Sequence, residues 1–366
     1  MSELLYQVAL TMIPGVGDVL GKKLVASCGS AEAVFREPRR MVRKIPRVGE
    51  SLWNTLSSKD ILLRAEQEVL FIQRFRISTL FYTDKDYPFR LKNCFDGPVL
   101  LYYKGTADLN APKIIGVVGT RSATEYGKRI CREIIDGLSD LNPVIVSGLA
   151  YGIDSCAHRN SLEKGLSTVG VLAHGLDRIY PYLNKGLAGR MVSQGGLLTD
   201  FASGTTPDRE NFPKRNRIIA GLCDGIVVVE AASTGGALIT ADIANSYNRD
   251  VFAIPGRIGD NFSEGTNRLI RINKAALIQS AADIRYMMGW DSTINLSSPR
   301  QGKIFLELTP DEEIIIGILK QADRTGIDEL AIKANLSMSK VSCALLNLEF
   351  EGVVRSMPGK VYSLNG

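Results

Sequence analysis

Three short stretches of this 366-residue chain join glycine to hydroxyl side chains in a way that suits a phosphate. They are Gly119-Thr120-Arg121-Ser122, Ser147-Gly148-Leu149-Ala150-Tyr151-Gly152 and Ser233-Thr234-Gly235-Gly236. Each leads into a helix-forming run, and such turns aim backbone N–H groups and the positive helix end at an anion. A tight strand-to-helix turn also uses glycine whatever it binds, so the nearby cations weigh in the argument. Arg121, Arg257 and the cluster Lys214-Arg215-Asn216-Arg217 fall in loops of the same kind. Phe212 stands two residues before that cluster, where it either stacks on a base or anchors the start of the helix RNRIIAGL.

Other chemistry is poorly supplied. No GxGxxG follows the first strand of the alternating region, which offers only Gly116 and Gly119, and no GxxxxGK[ST] occurs, so neither an NAD site nor ATP hydrolysis is expected. Two histidines, His158 and His174, exclude a His-rich metal site. Asp154 and His158 share a helix face at i and i+4, as an acid–base pair or as an ion-paired helix start. Asp200 and Glu230 close strands, where they serve chemistry or orient Arg215 and Arg217. The six cysteines are scattered without a CxxC, which reads as reduced thiols in a cytoplasmic protein, and Cys156 packs in a core. Many rim cations without a general base imply recognition of several phosphates with no cofactor, no metal and no catalysis. A single strand of nucleic acid laid over the rim meets that description.

The elements that must position these loops begin near residue 111. Unbroken apolar runs at Lys113–Thr120, Pro143–Leu149, Ser167–Gly175, Gly196–Ala202, Gly225–Ala231 and Asp250–Pro255 alternate with amphipathic stretches, and Ala276–Gln279 offers a short last strand. Short apolar runs separated by helices predict an extended Rossmann-like α/β fold, a doubly wound and mostly parallel sheet covered on both faces. Two further extended pieces, Leu80–Thr83 and Val99–Tyr103, extend that sheet. The expected divisions are a helical domain at 1–80, a Rossmann-like domain at 81–290, a linker at 291–307 and a last domain at 308–366. No run of ~18 apolar residues occurs, so no membrane contact is expected.

The flanks have their own signatures. Ile13-Pro14-Gly15-Val16-Gly17 returns as Ile45-Pro46-Arg47-Val48-Gly49, as in a pair of helix-hairpin-helix turns or of ordinary helix–helix turns, with Lys22, Lys23, Arg43, Lys44 and Arg47 beside them. Residues 308–366 read as three helices and a hairpin around Pro358-Gly359, the winged-helix pattern. Net charge is +4 over residues 1–80, +3 over 81–300 and −2 over 301–366. The third helix of the C-terminal unit carries Lys340 against Glu349 and Glu351, so this unit is expected to meet protein rather than DNA.

The stretches VGTRSATEYG (118–127), SGLAYGIDSCAHRNSL (147–162), NFPKRNRIIAGL (211–222), EAASTGGALITADIA (230–244) and AIPGRIGDNFSEGTNRLI (253–270) resemble the DNA-processing protein A family, DprA or Smf. The resemblance is dense over about residues 80–290. It implies a non-enzymic protein that binds single-stranded DNA through its Rossmann-like domain, dimerises, and loads a RecA-type recombinase on incoming DNA during natural transformation or homologous recombination. Carried over by motif, the DNA-contacting residues are Gly119, Arg121, Ser122, Ser147, Gly148, Phe212, Lys214, Arg215, Asn216, Arg217, Thr234, Gly235 and Gly236. Leu269, Ile270 and Ile272 either form part of the dimer face or pack beneath the sheet. A related Rossmann-like group, the nucleoside-monophosphate phosphoribohydrolases, is the alternative. Its PGGxGTxxE signature is degraded here, with Asp242 in place of the Glu.

Overall fold

The computed structural model describes residues 3–36, 59–291, 308–322 and 324–365. Within these residues the chain builds a nine-stranded sheet and a separate three-stranded one. The strands of the large sheet are β1 (Ser78–Phe81), β2 (Leu100–Gly105), β3 (Ile114–Val118), β4 (Val144–Ser147), β5 (Thr168–Val171), β6 (Gly196–Thr199), β7 (Gly225–Val228), β8 (Asp250–Ala253) and β9 (Ala276–Leu277). Their order is β1-β2-β6-β5-β4-β3-β7-β8-β9. From β6 to β9 every pairing is parallel, and β1 and β2 add an antiparallel edge on β6. The predicted doubly wound sheet is therefore present, with all nine expected strands.

Both faces of the central strands are covered, which is why their sequences show no polar alternation. Ile114, Val144, Val146, Ile226 and Val228 bury one face beneath helices Asn211–Leu222 and Gly236–Ser246. Ile115, Val117, Ile145, Val227 and Phe252 bury the other beneath helices Glu125–Leu138, Ile153–Glu163 and Ala281–Met287. Adjacent residues such as Ile114 and Ile115 thus serve opposite cores, as the two-residue period of a strand requires.

The N-terminal helices Glu3–Thr11, Asp18–Cys28, Ala31–Arg36 and Lys59–Phe75 do not form a free-standing bundle. Leu5, Val8, Leu10, Leu24 and Ala65 share one core with Phe81, Val99, Leu100 and Tyr102 of the antiparallel edge. The Ile13–Gly17 hairpin lies between the first two helices, with Gly15 at φ +81°. Its expected repeat at 45–49, with Arg43, Lys44 and Arg47, lies outside the described residues, as does the expected linker from 292 onward. Lys22 is half-buried, 5.8 Å from the Tyr82 ring, and burial lowers its pKa, so it is not presented to a phosphate as the sequence suggested.

The C-terminal unit has helices Pro310–Gln321, Ile327–Ala334 and Met338–Phe350, with β10 (Thr325–Gly326), β11 (Val354–Met357) and β12 (Val361–Leu364) in the order β10-β12-β11. Thr309 and Glu312 form a capping box at the first helix, and Ser337 caps the third. This is the winged-helix arrangement. It docks at the N-terminal ends of the large sheet's strands, where Asp328 pairs with Arg249 at 2.5 Å and accepts from Asn93 Nδ2 at 3.0 Å. The Pro358-Gly359 turn packs on the backbone of Met288 and Gly289.

Candidate nucleic-acid interface

The chain runs β3, β4, β5 and β6 outward to one side, then returns to place β7 on the other flank of β3. The loops leaving β3 and β7 therefore diverge, and a crevice opens at the C-terminal strand ends, where ligands bind in such sheets. A cavity of about 360 Å³ lies there. Val118, Ile219 and Ala231 give it apolar walls, and Gly119, Arg121, Phe212, Arg215, Asn216, Thr234, Gly235 and Gly236 line it too. Eight of the thirteen sequence-expected DNA residues thus converge on one crevice.

Arg215 is the central group. Only 4 % exposed, its Nη1 donates to Gly148 O and to Val171 O, each at 2.5 Å, and its Nε donates to Asn216 Oδ1 at 3.0 Å. Burial lowers its pKa to about 10, a loss offset in part by the Asp154 carboxylate and deepened by the Arg121 charge. It remains a cation at neutral pH, and its Nη2 has no hydrogen-bond partner among the described residues. A buried guanidinium with a spare donor is poised for an anion. Asp154 accepts from the N–H groups of Gly148 and Ala150 at 3.2 and 3.3 Å. Burial raises its pKa, against the pull of Arg215.

Two glycines make this packing possible. A Cβ at Gly148 would stand 2.4 Å from Arg215 Nη1. Gly152 has φ +75°, and a Cβ there would stand 2.2 Å from Thr120 O, because the loops after β3 and β4 press together. Asn216 then ties Arg215 to the third loop, its Nδ2 donating to Gly236 O at 3.3 Å. Gly236 opens the helix Gly236–Ser246 with no side-chain cap, so this positive helix end faces the cavity it lines.

Phe212 stands at the mouth. The Arg121 guanidinium lies 5.1 Å from its ring centroid and that of Arg215 lies 5.8 Å away, within cation–π range. Arg121 is exposed.

Five residues fall elsewhere. Ser147 is buried and its Oγ donates to Val117 O at 2.6 Å, inside the sheet. Gly148 meets Arg215 but is not part of the cavity wall. Ser122 and Lys214 are exposed on the rim. Arg217 points away altogether: its Nη2 pairs with Asp18 and Asp200, each at 2.7 Å, and its Nη1 donates to Asp96 O. Two residues along a helix turn the side chain by about 200°, so Arg215 and Arg217 must face opposite ways. Burial pulls the Arg217 pKa down, but Asp200 and Asp18 more than offset it and hold it above its ordinary value.

The remaining candidates for chemistry are committed to structure. Glu230 accepts from Thr124 N at 3.0 Å and from Thr124 Oγ1, anchoring the loop after β3. His158 does not pair with Asp154: its Nδ1 meets Thr168 Oγ1 at 2.7 Å, and burial lowers its pKa to about 3. Asp242 pairs with Lys274 at 2.6 Å, away from the cavity lining. Leu269 is buried in the core under the sheet, which removes it from the expected dimer face; Ile270 is half-buried against that core and Ile272 is exposed. One neighbour of the site was missed. Tyr180, with its ring 6.1 Å from that of Phe212, lies in the loop after β5, beyond the apolar run Ser167–Gly175.

The model of the family described as DNA recombination-mediator protein A matches residues 78–289, and that of the DprA winged helix domain matches 306–360. The chain belongs to the DNA recombination-mediator protein A family. It is 32 % identical to Protein Smf of Synechocystis, over 99 % of this chain and 98 % of that one. It is 43 % identical to DNA processing protein DprA of Streptococcus pneumoniae, over 55 % of this chain and 71 % of that one. The X-ray structure of the S. pneumoniae protein superposes with a TM-score of 0.61 and 31 % identity, covering 78 % of this chain and 97 % of that one. The structure of DNA processing protein A from Helicobacter pylori, a protein with a unique single-stranded DNA binding mode, superposes with a TM-score of 0.52 and 30 % identity, over 57 % of this chain and 94 % of that one. The family match spans all three phosphate-type loops and the Arg121–Phe212–Arg215 group.

Proposed function

We propose that this protein binds single-stranded DNA in the crevice between β3 and β7 and acts as a recombination mediator rather than as an enzyme. The carrying observation is the pairing of Arg121 and Arg215 around Phe212 above an uncapped helix start. Phosphate meets the guanidinium donors and N–H groups, and a base lies on the aromatic ring. The S. pneumoniae and H. pylori relatives support this reading by likeness. In the same reading the protein is a cytoplasmic homodimer that passes its strand to a RecA-type recombinase, and its chain divides into helical, Rossmann-like and winged-helix domains. Ile272, exposed just before the edge strand β9, and Leu277, exposed on it, form the dimer face in place of Leu269.

The phosphoribohydrolase alternative is disfavoured by Asp242, whose carboxylate is engaged by Lys274. The test is an anisotropy titration with fluorescent oligothymidylate and with duplex of equal length, at several salt concentrations and without nucleotide. Tight, salt-dependent binding of the single strand is expected, with a log–log slope of roughly −0.7 per phosphate contact. Equal affinity for duplex overturns the proposal. Release of ribose 5-phosphate from a nucleoside monophosphate would favour the alternative.

A further inference from the structure

The loop after β5 carries a surface that the crevice does not use. Tyr180 is 44 % exposed, Tyr182 73 % and Leu183 79 %, three large apolar side chains within four residues. Among the described residues they remain largely uncovered, yet the backbone beneath them is fastened at both ends. At one end Tyr180 N donates to His174 Nε2 at 3.2 Å, while His174 Nδ1 meets Gly175 O at 2.9 Å. At the other end the buried Asn184 donates from Nδ2 to Leu149 O at 2.9 Å and to Ser155 Oγ at 2.8 Å. The platform is therefore held over the loop that follows β4, on the same side of the sheet as the cavity.

We propose that Tyr180, Tyr182 and Leu183 form a second subsite that takes nucleobases of the strand as it leaves the cavity. This rests on the reading of the crevice as a single-strand site. The tilt of 56° between the Tyr180 and Phe212 rings, with centroids 6.1 Å apart, gives two separate stacking faces in series, not one slot. Lys185 Nζ lies 5.6 Å from the Tyr182 ring and is exposed, so a cation accompanies the outer aromatic as Arg121 accompanies Phe212. Alternation of aromatic face and cation, continuous with a phosphate cradle, fits a polyanion with planar bases. A purely apolar partner would gain nothing from Lys185.

The experiment compares the full chain with the double variant Tyr182→Ala, Leu183→Ser, and with Tyr182→Phe, on oligothymidylates of about five and about twenty nucleotides. The double variant should bind the short strand as the unaltered protein does and lose about 5- to 150-fold on the long one, the range expected for one stacked base. Tyr182→Phe should keep long-strand affinity, because the ring face and not the hydroxyl acts. Unchanged long-strand affinity in the double variant, with tight binding by the unaltered protein, overturns the subsite and leaves the crevice standing. Equal losses on both strands overturn it too, since the residues would then be serving the cavity. Absence of single-strand binding by the unaltered protein overturns the parent reading and this one together.

Discussion

Substituting Arg217 by Met separates the two faces of the helix Asn211–Leu222. Arg217 holds two carboxylates at 2.7 Å each, and Asp200 is nearly enclosed, so removing the cation strands a buried charge. Breaking a buried pair from one side costs about 3–5 kcal/mol. Methionine fills most of the volume, so that cost is chiefly electrostatic and depends on pH. Burial already raises the Asp200 pKa, with Arg217 pulling the other way. In the variant the pull is gone and the folded-state pKa rises further. The native state then holds a proton that the unfolded chain releases near pH ~3.9, so stability falls as pH rises from there through the folded pKa. Urea melts at pH 7.5 should show the full deficit of about 3–5 kcal/mol, and melts at pH 4.5 less than half of it. Single-strand affinity at pH 7.5, measured on folded protein, should stay within about threefold, because Arg121, Phe212 and Arg215 are untouched. A deficit below about 1 kcal/mol, a deficit independent of pH, or an affinity loss matching that of Arg215→Met would refute the division of faces.

Arg121→Ala should weaken single-strand binding about tenfold or more with little change in melting, and should lower the salt slope by about 0.7, read by anisotropy. Asp328→Ala should loosen the winged-helix unit by removing the carboxylate that pairs with Arg249 at the domain contact, and limited proteolysis of that unit should quicken while single-strand affinity stays within a few fold. His158, with its pKa lowered to about 3, costs stability as pH falls from ~6.5 toward 3, because the unfolded chain takes a proton that the buried ring refuses. His158→Gln should flatten that part of the pH profile in urea melts. Ile272→Asp should shift a dimer to monomer in light scattering without unfolding, whereas Leu269→Asp should unfold the chain.

The strands were legible because parallel strands buried on both faces leave unbroken apolar runs, and Ile114–Val118 or Gly225–Val228 can hardly be read otherwise. The phosphate-type loops were legible because tight turns at strand ends demand glycine. The cluster Lys214-Arg215-Asn216-Arg217 was misjudged as one patch. Its residues splay around a helix, and Ile218, Ile219 and Leu222 on the buried side already marked which way Arg217 had to turn. Leu269 looked surplus to a surface helix because the helix Glu264–Arg271 lies against the sheet, a fact set by tertiary packing. Likewise no local pattern announces that Asp18 of the second helix will meet Arg217, 199 residues later. Tyr180 is an aromatic a few residues past the run Ser167–Gly175, with no glycine-and-hydroxyl turn around it to mark it as part of the site.

Parallel strands give the molecule two poles. Every crossover carries the chain back to the same starting side, so all phosphate-type loops gather at one pole, and the winged-helix unit occupies the other through Arg249 and the Pro358-Gly359 turn. In the proposed reading, a strand held at the first pole lies a strand's length away from the third winged helix, where Leu346 and Phe350 are exposed among the described residues. On that reading two loads would not compete for space. Exchange of the unit at the second pole would change what the molecule is tethered to while leaving its grip on the strand as it was.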